Sequence, residues 1–334
     1  MTRADSSTQT STPVRPKASA RPRRALVVLS GLALISIVCF MTIGANSNWS
    51  FILPFRGAKL MALILVGYAV AVSTVLFQTV TANRILTPSI MGFDALYILI
   101  QTVIVFFFTS QALTALDSRL QFVIEVAVMA VFSGILFQWL FLSGNRSLHL
   151  LVLVGIVCGV FFRSLSGLMQ RMLDPNEFLV LQDTFFASFN TIDRTLLGVS
   201  AAIVGLASLI GLKVMPYLDV LKLGRPVAVN LGVPYKATVS IILVVVAMLV
   251  SVSTALVGPI TFFGLLVVSL AHAIARDGRH RHILPISILL GIICLVGGQT
   301  ILERLFEFNT ALAIIIEFIG GVVFIIMVLR GAMR

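Results

Sequence analysis

Long apolar runs separated by short polar loops dominate this sequence, and no other feature restricts its fold so strongly. A helix needs about 20 apolar residues to cross a bilayer, and runs of roughly that length recur from residue 25 onwards. Hydrophobic residues make up 59% of the 334 residues and charged residues only 11%, whereas soluble domains carry about 25% charged residues. The sequence therefore predicts an integral membrane protein and excludes an ordinary soluble fold.

The apolar runs are continuous and do not alternate every second residue, which indicates spanning helices and not the strands of a membrane barrel. The first run is longer than the roughly 7–15 apolar residues of a cleaved signal, so we interpret it as a span. Residues 1–24, rich in Ser, Thr, Pro and Arg, are expected to form a disordered tail, followed by a membrane domain over 25–334. The prediction is an all-α protein with ten spans, at about 25–44, 58–81, 94–114, 120–142, 148–170, 196–212, 236–257, 260–275, 285–301 and 311–330.

The positions of lysine and arginine predict the orientation of the spans, because cytoplasmic loops carry an excess of both. An N-terminus in the cytoplasm places most of them inside: Arg15, Lys17, Arg21, Arg23, Arg24, Arg84, Arg146, Lys213, Lys222, Arg225, Lys236, Arg276, Arg279, Arg281, Arg330 and Arg334. Fewer fall outside: Arg56, Lys59, Arg119, Arg171, Arg194, Arg304 and, less clearly, Arg163. Since ten spans return the chain to its starting side, both termini are predicted to be cytoplasmic.

The net charge of +11 is explained by this topology, and no basic face or motif indicates nucleic-acid binding. Cys39, Cys158 and Cys294 lie singly inside apolar runs and predict neither a disulfide framework nor a metal site. The sequence contains no GxxxxGK[ST] phosphate-binding loop, HExxH or GxSxG motif. No catalytic residues and no resident cofactor are expected.

Two stretches are not spans. In residues 172–194, apolar residues at helical spacing mix with polar ones; the stretch could be a short helix dipping into the membrane or an external loop packed on the bundle, and periodicity favours the loop. In "DVLKLGRPVAVNLGVPY", residues 219–235, Asp219 is predicted to begin a short helix that Gly224 ends. Pro226 suits the first turn of a second helix, and Gly232 followed by Pro234 suits its end.

The residues alone leave two interpretations of this helix–turn–helix, which is too short and too polar to span. It could be an interfacial helix that anchors the adjoining spans, or a docking element for a cytoplasmic partner.

Four segments decide between them. "LGRPVAVNLGVP" (223–234) resembles the cytoplasmic coupling loop in permease subunits of type II ABC importers, the FecCD/vitamin-B12-permease-like family. That loop has a Gly, three residues, an Ala, two residues and Leu-Gly, and lies between the sixth and seventh of ten spans. "FRGAKLMALILVGYAVAVSTVLFQ" (55–78), "LTPSIMGFDALYILIQT" (86–102) and "VGPITFFGLLV" (257–267) resemble further family segments in the same order, so the resemblance covers residues 25–334.

The sequence also departs from the family pattern. The usual Pro-His after the third of these segments is Val268-Ser269, with His272 following, and the usual Asn-Pro after the second span is Leu86, Thr87 and Pro88. These departures concern the geometry of two turns and are typical of a subgroup.

The resemblance implies roles for particular residues. Within the coupling segment (216–235), those expected to engage the ATPase subunit are Asp219, Lys222, Gly224, Arg225, Ala228, Leu231 and Gly232. External basic residues that would meet a substrate-binding protein are Arg56, Lys59 and Arg304, for which lipid-interface anchoring is the alternative. Residues expected along the translocation pathway are Arg163, Ser164, Ser166 and Glu317. Glu317 and Glu125 are ionisable residues inside spans, so each could line the pathway or pair within the bundle, and Glu125 could instead cap the external end of its span. Gly320-Gly321 would permit close helix packing.

The function implied is a membrane permease subunit of an ATP-driven importer of iron-siderophore complexes in a bacterial cytoplasmic membrane. Its implied partners are cytoplasmic ATPase subunits that use ATP-Mg, an extracytoplasmic substrate-binding protein and a second permease subunit. As an alternative, the resemblance is also compatible with the import of haem or cobalamin, since permeases for these cargoes share the same scaffold. A secondary transporter driven by an ion gradient is an alternative of another class, but no internal repeat supports it.

Overall fold

The computed structural model describes residues 20–44, 49–115, 117–142, 148–190, 192–305 and 311–329. Twelve α-helices account for most of them: α1 Ala20–Thr42, α2 Trp49–Thr81, α3 Phe93–Ala115, α4 Ser118–Leu142, α5 Leu148–Gln170, α6 Pro175–Asp183, α7 Arg194–Leu221, α8 Arg225–Asn230, α9 Tyr235–Val257, α10 Phe263–Ala275, α11 His280–Leu305 and α12 Leu312–Leu329. Helix α3 has a break at Thr109, whose φ of 66° and ψ of 167° are not helical. Helices α6 and α8 are too short to cross a membrane, and the other ten correspond to the ten predicted spans.

Seven helices within the described ranges are long and apolar enough to cross a membrane by themselves, and three apolar segments are shorter: Phe93–Thr109, Phe263–Ala275 and Leu312–Ile326. The prediction of an all-helical membrane protein with about ten spans is therefore confirmed. Helix α1 begins at Ala20, five residues before the predicted span, and residues 1–19 of the predicted tail lie outside the described residues.

Helices α2 and α9 form the centre of the bundle, and two buried apolar clusters lie around them. One cluster joins α2 and α9 to α3, α4, α5 and α7, and the other joins α2 to α1, α10, α11 and α12. Glycines bring α2 close to its neighbours. A Cβ added at Gly291 of α11 would lie 2.9 Å from the carbonyl oxygen of Gly67, and one added at Gly264 of α10 would lie 2.3 Å from Thr74 Oγ1.

Helix α3 begins inside the bundle and not at its cytoplasmic surface. After α2 the chain turns back through a 3-10 turn, Pro88–Met91, and reaches Gly92, whose φ is 97°. Gly92 packs against Gly155 and Gly159, which lie near the middle of α5. Irregular backbone at this depth is tolerated only where protein surrounds it, and here the small residues of α5 provide that cover.

Helix α10 is the second short element, because residues 258–262 turn into the bundle from the external side. Gly258, with φ of 97°, contacts the backbone of Phe186 and Ala187, and Ser188 N donates to Val257 O at 2.8 Å. Within the predicted non-spanning stretch, residues 175–183 form a short capped helix, α6, and residues 186–188 pack on the end of α9. This arrangement agrees with the packed-loop interpretation and adds the helix that periodicity had left open.

The glycine contact that admits the 3-10 turn can be tested. A Cβ at position 159 would lie 3.0 Å from Gly92 Cα, whereas a Cβ at Gly167 of the same helix meets nothing within 4 Å. Gly159→Ala is expected to destabilise the protein by about 1–3 kcal/mol through overpacking, and Gly167→Ala to be neutral. Thermal unfolding of the two purified variants in one detergent compares them; equal midpoints would contradict the close packing.

Candidate functional site

A short helical projection between α7 and α9 lies at the end of the bundle that the sequence predicts to be cytoplasmic. We define the cytoplasmic knob as residues 222–234, which include α8. The predicted second helix is confirmed, with Pro226 in its first turn and Gly224 at its N-cap. Gly224 has φ of 91° and Gly232 φ of 81°, values that side-chain-bearing residues rarely adopt. The two glycines therefore set the sharp turns at either end of the knob.

The prediction of a separate first helix is wrong, because Asp219 does not begin a new helix but lies in the last turn of α7. Helix α7 continues past the predicted end at residue 212 and through Pro216 to Leu221. Val214, Leu218 and Leu221 are buried at spacings of four and three, so one continuous face packs on the bundle. That packing keeps residues 213–221 helical, although the polar residues in this stretch had predicted that the helix ends at residue 212.

The knob exposes apolar side chains on its surface. Leu223, Val227, Val229 and Leu231 are 59%, 42%, 51% and 62% exposed, whereas Ala228 is completely buried. An exposed apolar group on a rigid projection is typical of a surface that binds another protein.

A hydrogen-bonded tether holds the base of the knob to the start of α11. The Asp219 carboxylate accepts from the backbone N–H of His280 at 2.9 Å and lies 2.6 Å from its Nδ1. On the other side of the ring, His280 Nε2 lies 2.7 Å from Thr79 Oγ1 near the end of α2. The chain Asp219–His280–Thr79 thus joins α7, α11 and α2, and we call it the base tether.

Two further contacts fix the knob. Lys222 Nζ donates to the carbonyl oxygen of Gly278 at 3.1 Å, and the Arg225 guanidinium lies 5.8 Å from the centre of the Tyr235 ring, within cation–π range. Lys222 thereby ties the start of the knob to the loop before α11, and Arg225 ties α8 to the start of α9.

The structure divides the predicted coupling residues by position. Lys222 and Ala228 face into the protein, and Gly224 and Gly232 shape the backbone. Asp219 binds His280 although its side chain is 53% exposed, and Arg225 and Leu231 are exposed. Sequence reasoning missed His280 and Thr79 in the base and Leu223 and Val229 on the surface. The polar residues His280 and Thr79 lie far from Asp219 in the sequence, so no local pattern connects them.

On the external side, the predicted docking arginines bind the end of α1. Arg56 Nη1 donates to the carbonyls of Phe40, Met41 and Ile43 at 3.2, 3.0 and 2.9 Å, and Arg304 Nη2 donates to Ile43 at 2.6 Å. Cations favour the C-terminal end of a helix, where unpaired carbonyls carry partial negative charge. Arg304 is also exposed, whereas Arg56 is partly covered.

Lys59 is buried in a polar cluster. Its Nζ donates to Glu303 at 2.6 Å and to Asn190 at 2.9 Å, and the side chains of Lys59 and Glu303 are only 7% and 10% exposed. Gln299 Nε2 donates to the same Glu303 oxygen at 2.9 Å. The ammonium group therefore joins α2, α11 and the segment after α6, and does not project towards an external partner.

Removing one partner of this pair tests its role. Lys59→Ala leaves the Glu303 carboxylate buried without its cation, so the free energy of unfolding is expected to fall by about 3–5 kcal/mol. The double variant Lys59→Met with Glu303→Leu removes both charges and is expected to recover most of the loss. Chemical denaturation in detergent measures both; a double variant as unstable as the single one would refute the ion-pair explanation.

Inside the bundle, the starts of α3 and α10 meet at two carboxylates. Thr261, two residues before α10, donates its hydroxyl to Asp94 Oδ2 at 2.9 Å and its backbone N–H to Glu317 Oε1 at 3.3 Å. Arg163 of α5 lies within electrostatic range of Asp94. Ionisable groups at this depth are costly and usually functional, and the ends of interrupted helices are common transport sites.

The predicted pathway residues lie in different surroundings. Arg163 and Ser164 are exposed on α5, Ser166 is buried and donates to Phe162 O, and Glu317 is half-buried beside Thr261. Glu125 is paired within the bundle, where it accepts from Gln101 at 2.6 Å and Gln121 at 2.9 Å. A Cβ added at Gly320 would lie 3.6 Å from Leu266 Cβ of α10, whereas one added at Gly321 would meet nothing within 4 Å.

Sequence reasoning missed Asp94. This residue lies at the very start of a predicted span, where a polar residue is easily assigned to the preceding loop.

No group of three or more His, Cys, Asp or Glu side chains suited to a metal ion occurs among the described residues.

The bundle, its two interrupted helices and its cytoplasmic knob define a multi-pass membrane transport protein. The chain belongs to the FecCD transport family, whose family model matches residues 25–330. It is 46% identical over 310 residues to the petrobactin import system permease protein YclO of Bacillus subtilis, covering 93% of this chain and 98% of the relative. It is 37% identical to the petrobactin import system permease protein FatC of Bacillus anthracis, covering 82% and 78%.

A solved structure supports the fold. An inward-facing metal-chelate type ABC transporter superposes with a TM-score of 0.80 at 22% identity, covering 92% of this chain and 99% of the other.

Proposed function

We propose that this chain is the membrane permease subunit of an ATP-driven importer of iron-siderophore complexes in a bacterial cytoplasmic membrane. The observation that carries the proposal is the cytoplasmic knob, an exposed apolar surface fixed to three spanning helices. Its relatives YclO and FatC are named as petrobactin import permeases, which supports a siderophore as the cargo. The chain does no covalent chemistry in this scheme.

The knob would be the contact between this permease subunit and a cytoplasmic ATPase subunit. A cytoplasmic ATPase subunit would cover Leu223, Val227, Val229 and Leu231, which removes apolar surface from water. When the ATPase closes on ATP-Mg, the base tether would carry the movement of the knob to α11 and α2. Differential contacts in the two states of the ATPase would then shift the spanning helices between outward and inward access.

The external and intramembrane residues complete the proposal. Exposed Arg304, and less directly Arg56, would orient a substrate-binding protein, since rim charges mainly steer association. Lys59 would support this surface from beneath. The pathway would run beside Arg163 and Ser164 of α5 and near Glu317, and a second permease subunit would cover the apolar residues Phe161, Phe318 and others exposed on α5 and α12.

Reconstitution tests the assignment. Liposomes that contain the full chain, the second permease subunit, the ATPase and the binding protein are expected to accumulate ⁵⁵Fe-petrobactin only when ATP is supplied. If the liposomes took up haem or cobalamin and not the siderophore, the assigned cargo would change but the ATP-driven mechanism would stand. Uptake driven by a proton or sodium gradient without ATP would refute the importer assignment.

The exposed surface of the knob makes a specific prediction. Leu231→Asp places a charge in the apolar contact and is expected to reduce ATP-dependent uptake at least tenfold, because a buried unpaired charge is costly. Leu231→Met keeps an apolar side chain of similar volume and should retain uptake. Co-purification of the ATPase with each variant is measured in parallel; normal uptake by the Asp variant would exclude the knob as the contact.

The base tether makes a different prediction. Asp219→Asn weakens the contact with His280 while leaving the knob surface intact. The ATPase should therefore still bind to this variant, but fewer cargo molecules should be transported for each ATP hydrolysed. Asp277→Asn is the matched control, since the hydrogen bonds that Asp277 makes with described residues go to His282 and to the backbone N–H of Arg279, neither of which lies in α7 or α2. The ratio of uptake to hydrolysis is measured; an unchanged ratio in Asp219→Asn would mean that the tether does not transmit movement.

A further inference from the structure

A lengthwise groove separates α7 from α11 on the outside of the bundle. Helices α2 and α9 form its floor, and its volume is about 310 Å³. Such a volume lies within the range of pockets that hold small ligands. None of the transport roles proposed above involves this groove.

The groove extends from the cytoplasmic surface to about the middle of the membrane. Leu218 and Arg281 line its cytoplasmic end, and Ser208 and Tyr68 line its deep end. Ten residues of α7 separate Leu218 from Ser208, which is about 15 Å at the helical rise. Half of a bilayer's hydrocarbon core is also about 15 Å, so the groove matches the depth of one leaflet.

The deep part of the groove suits a hydrocarbon chain. Its lining is mainly Val, Leu, Ile and Met side chains with Gly211. Its two hydroxyl groups already have acceptors, because Tyr68 donates to Ser208 at 2.8 Å and Ser208 donates to Val204 O at 2.6 Å. A polar ligand would find no unused donor there, whereas an acyl chain needs none.

The cytoplasmic mouth carries positive charge. Arg281 is exposed and makes no hydrogen bond or ion pair with the described residues. The nearby carboxylates are already engaged, Asp219 by His280 and Asp277 by His282. The guanidinium is therefore available at the depth where lipid phosphates lie, and planar guanidinium groups bind phosphate well.

We propose that this groove binds an anionic phospholipid of the inner leaflet, with one acyl chain between α7 and α11 and its phosphate on Arg281. Basic sites between spanning helices on the cytoplasmic side recognise such head groups. The bound lipid would brace α7 against α11 just above the base tether. This inference rests on the groove alone and does not depend on the cargo or on the ATPase.

Native mass spectrometry of the full purified chain tests the proposal, with phosphatidylglycerol and phosphatidylcholine of identical acyl chains as probes. Arg281→Gln is expected to weaken phosphatidylglycerol binding about fivefold, the contribution of one basic residue near an anionic surface, and to leave phosphatidylcholine unchanged. Arg279→Gln is the matched control, since Arg279 is exposed in the same region but does not line the groove.

A second pair of variants tests the acyl-chain part. A Cβ at Gly211 has only an ordinary contact, 3.7 Å from Val245 Cγ1, so Gly211→Ala should bind lipid normally, whereas Gly211→Leu should fill the groove and lower binding of both lipids. Equal binding of the two lipids by the unaltered chain would overturn the proposal, as would identical results for Arg281→Gln and Arg279→Gln. If the protein forms dimers that no longer bind lipid and that can be cross-linked at position 211, the groove would instead be assigned to contact with a second copy of the chain.

Discussion

Backbone hydrogen bonding in a medium without water is the constraint on which this structure depends. In the hydrocarbon core each unpaired N–H or C=O is costly, so irregular chain must be enclosed by protein. The chain meets this demand twice: the turn that ends at Gly92 is enclosed by Gly155 and Gly159, and the segment after Gly258 is enclosed by residues 186–188. Because small residues provide the space, two helices can start inside the bundle, and their starts bring Asp94, Thr261 and Glu317 together.

The cytoplasmic side combines a fixed base with an exposed tip. Asp219, His280 and Thr79 anchor the knob to three helices, while Leu223 and Leu231 project from it. A flexible projection would absorb a partner's movement before it reached the membrane, whereas an anchored one transmits it. The external arginines are fixed in a similar way, because Arg56 and Arg304 both donate to carbonyl oxygens at the end of α1. Arg304 remains exposed on that surface.

The spans could be predicted from the sequence because hydropathy is a local property. The ten runs correspond to ten helices, and α8 with its flanking glycines lies where Pro226 and Gly232 predicted it. The end of α7 could not be predicted, because buried contacts of Val214 and Leu218 with the bundle outweigh the local polar signals around Asp219. Lys59 shows the same limit: it was expected among the external basic residues that meet a binding protein, yet its ammonium is buried against Glu303, 244 positions away.

The sequence by itself determined the membrane class, the number of spans and the place of the knob, since these depend on apolar length and on glycine and proline at fixed positions. Only the tertiary structure decided which polar groups meet. The pairs Asp219–His280, Lys59–Glu303 and Asp94–Thr261 join residues 61, 244 and 167 positions apart. Each pair forms because the bundle packs distant helices side by side, and no local pattern in the sequence encodes that proximity.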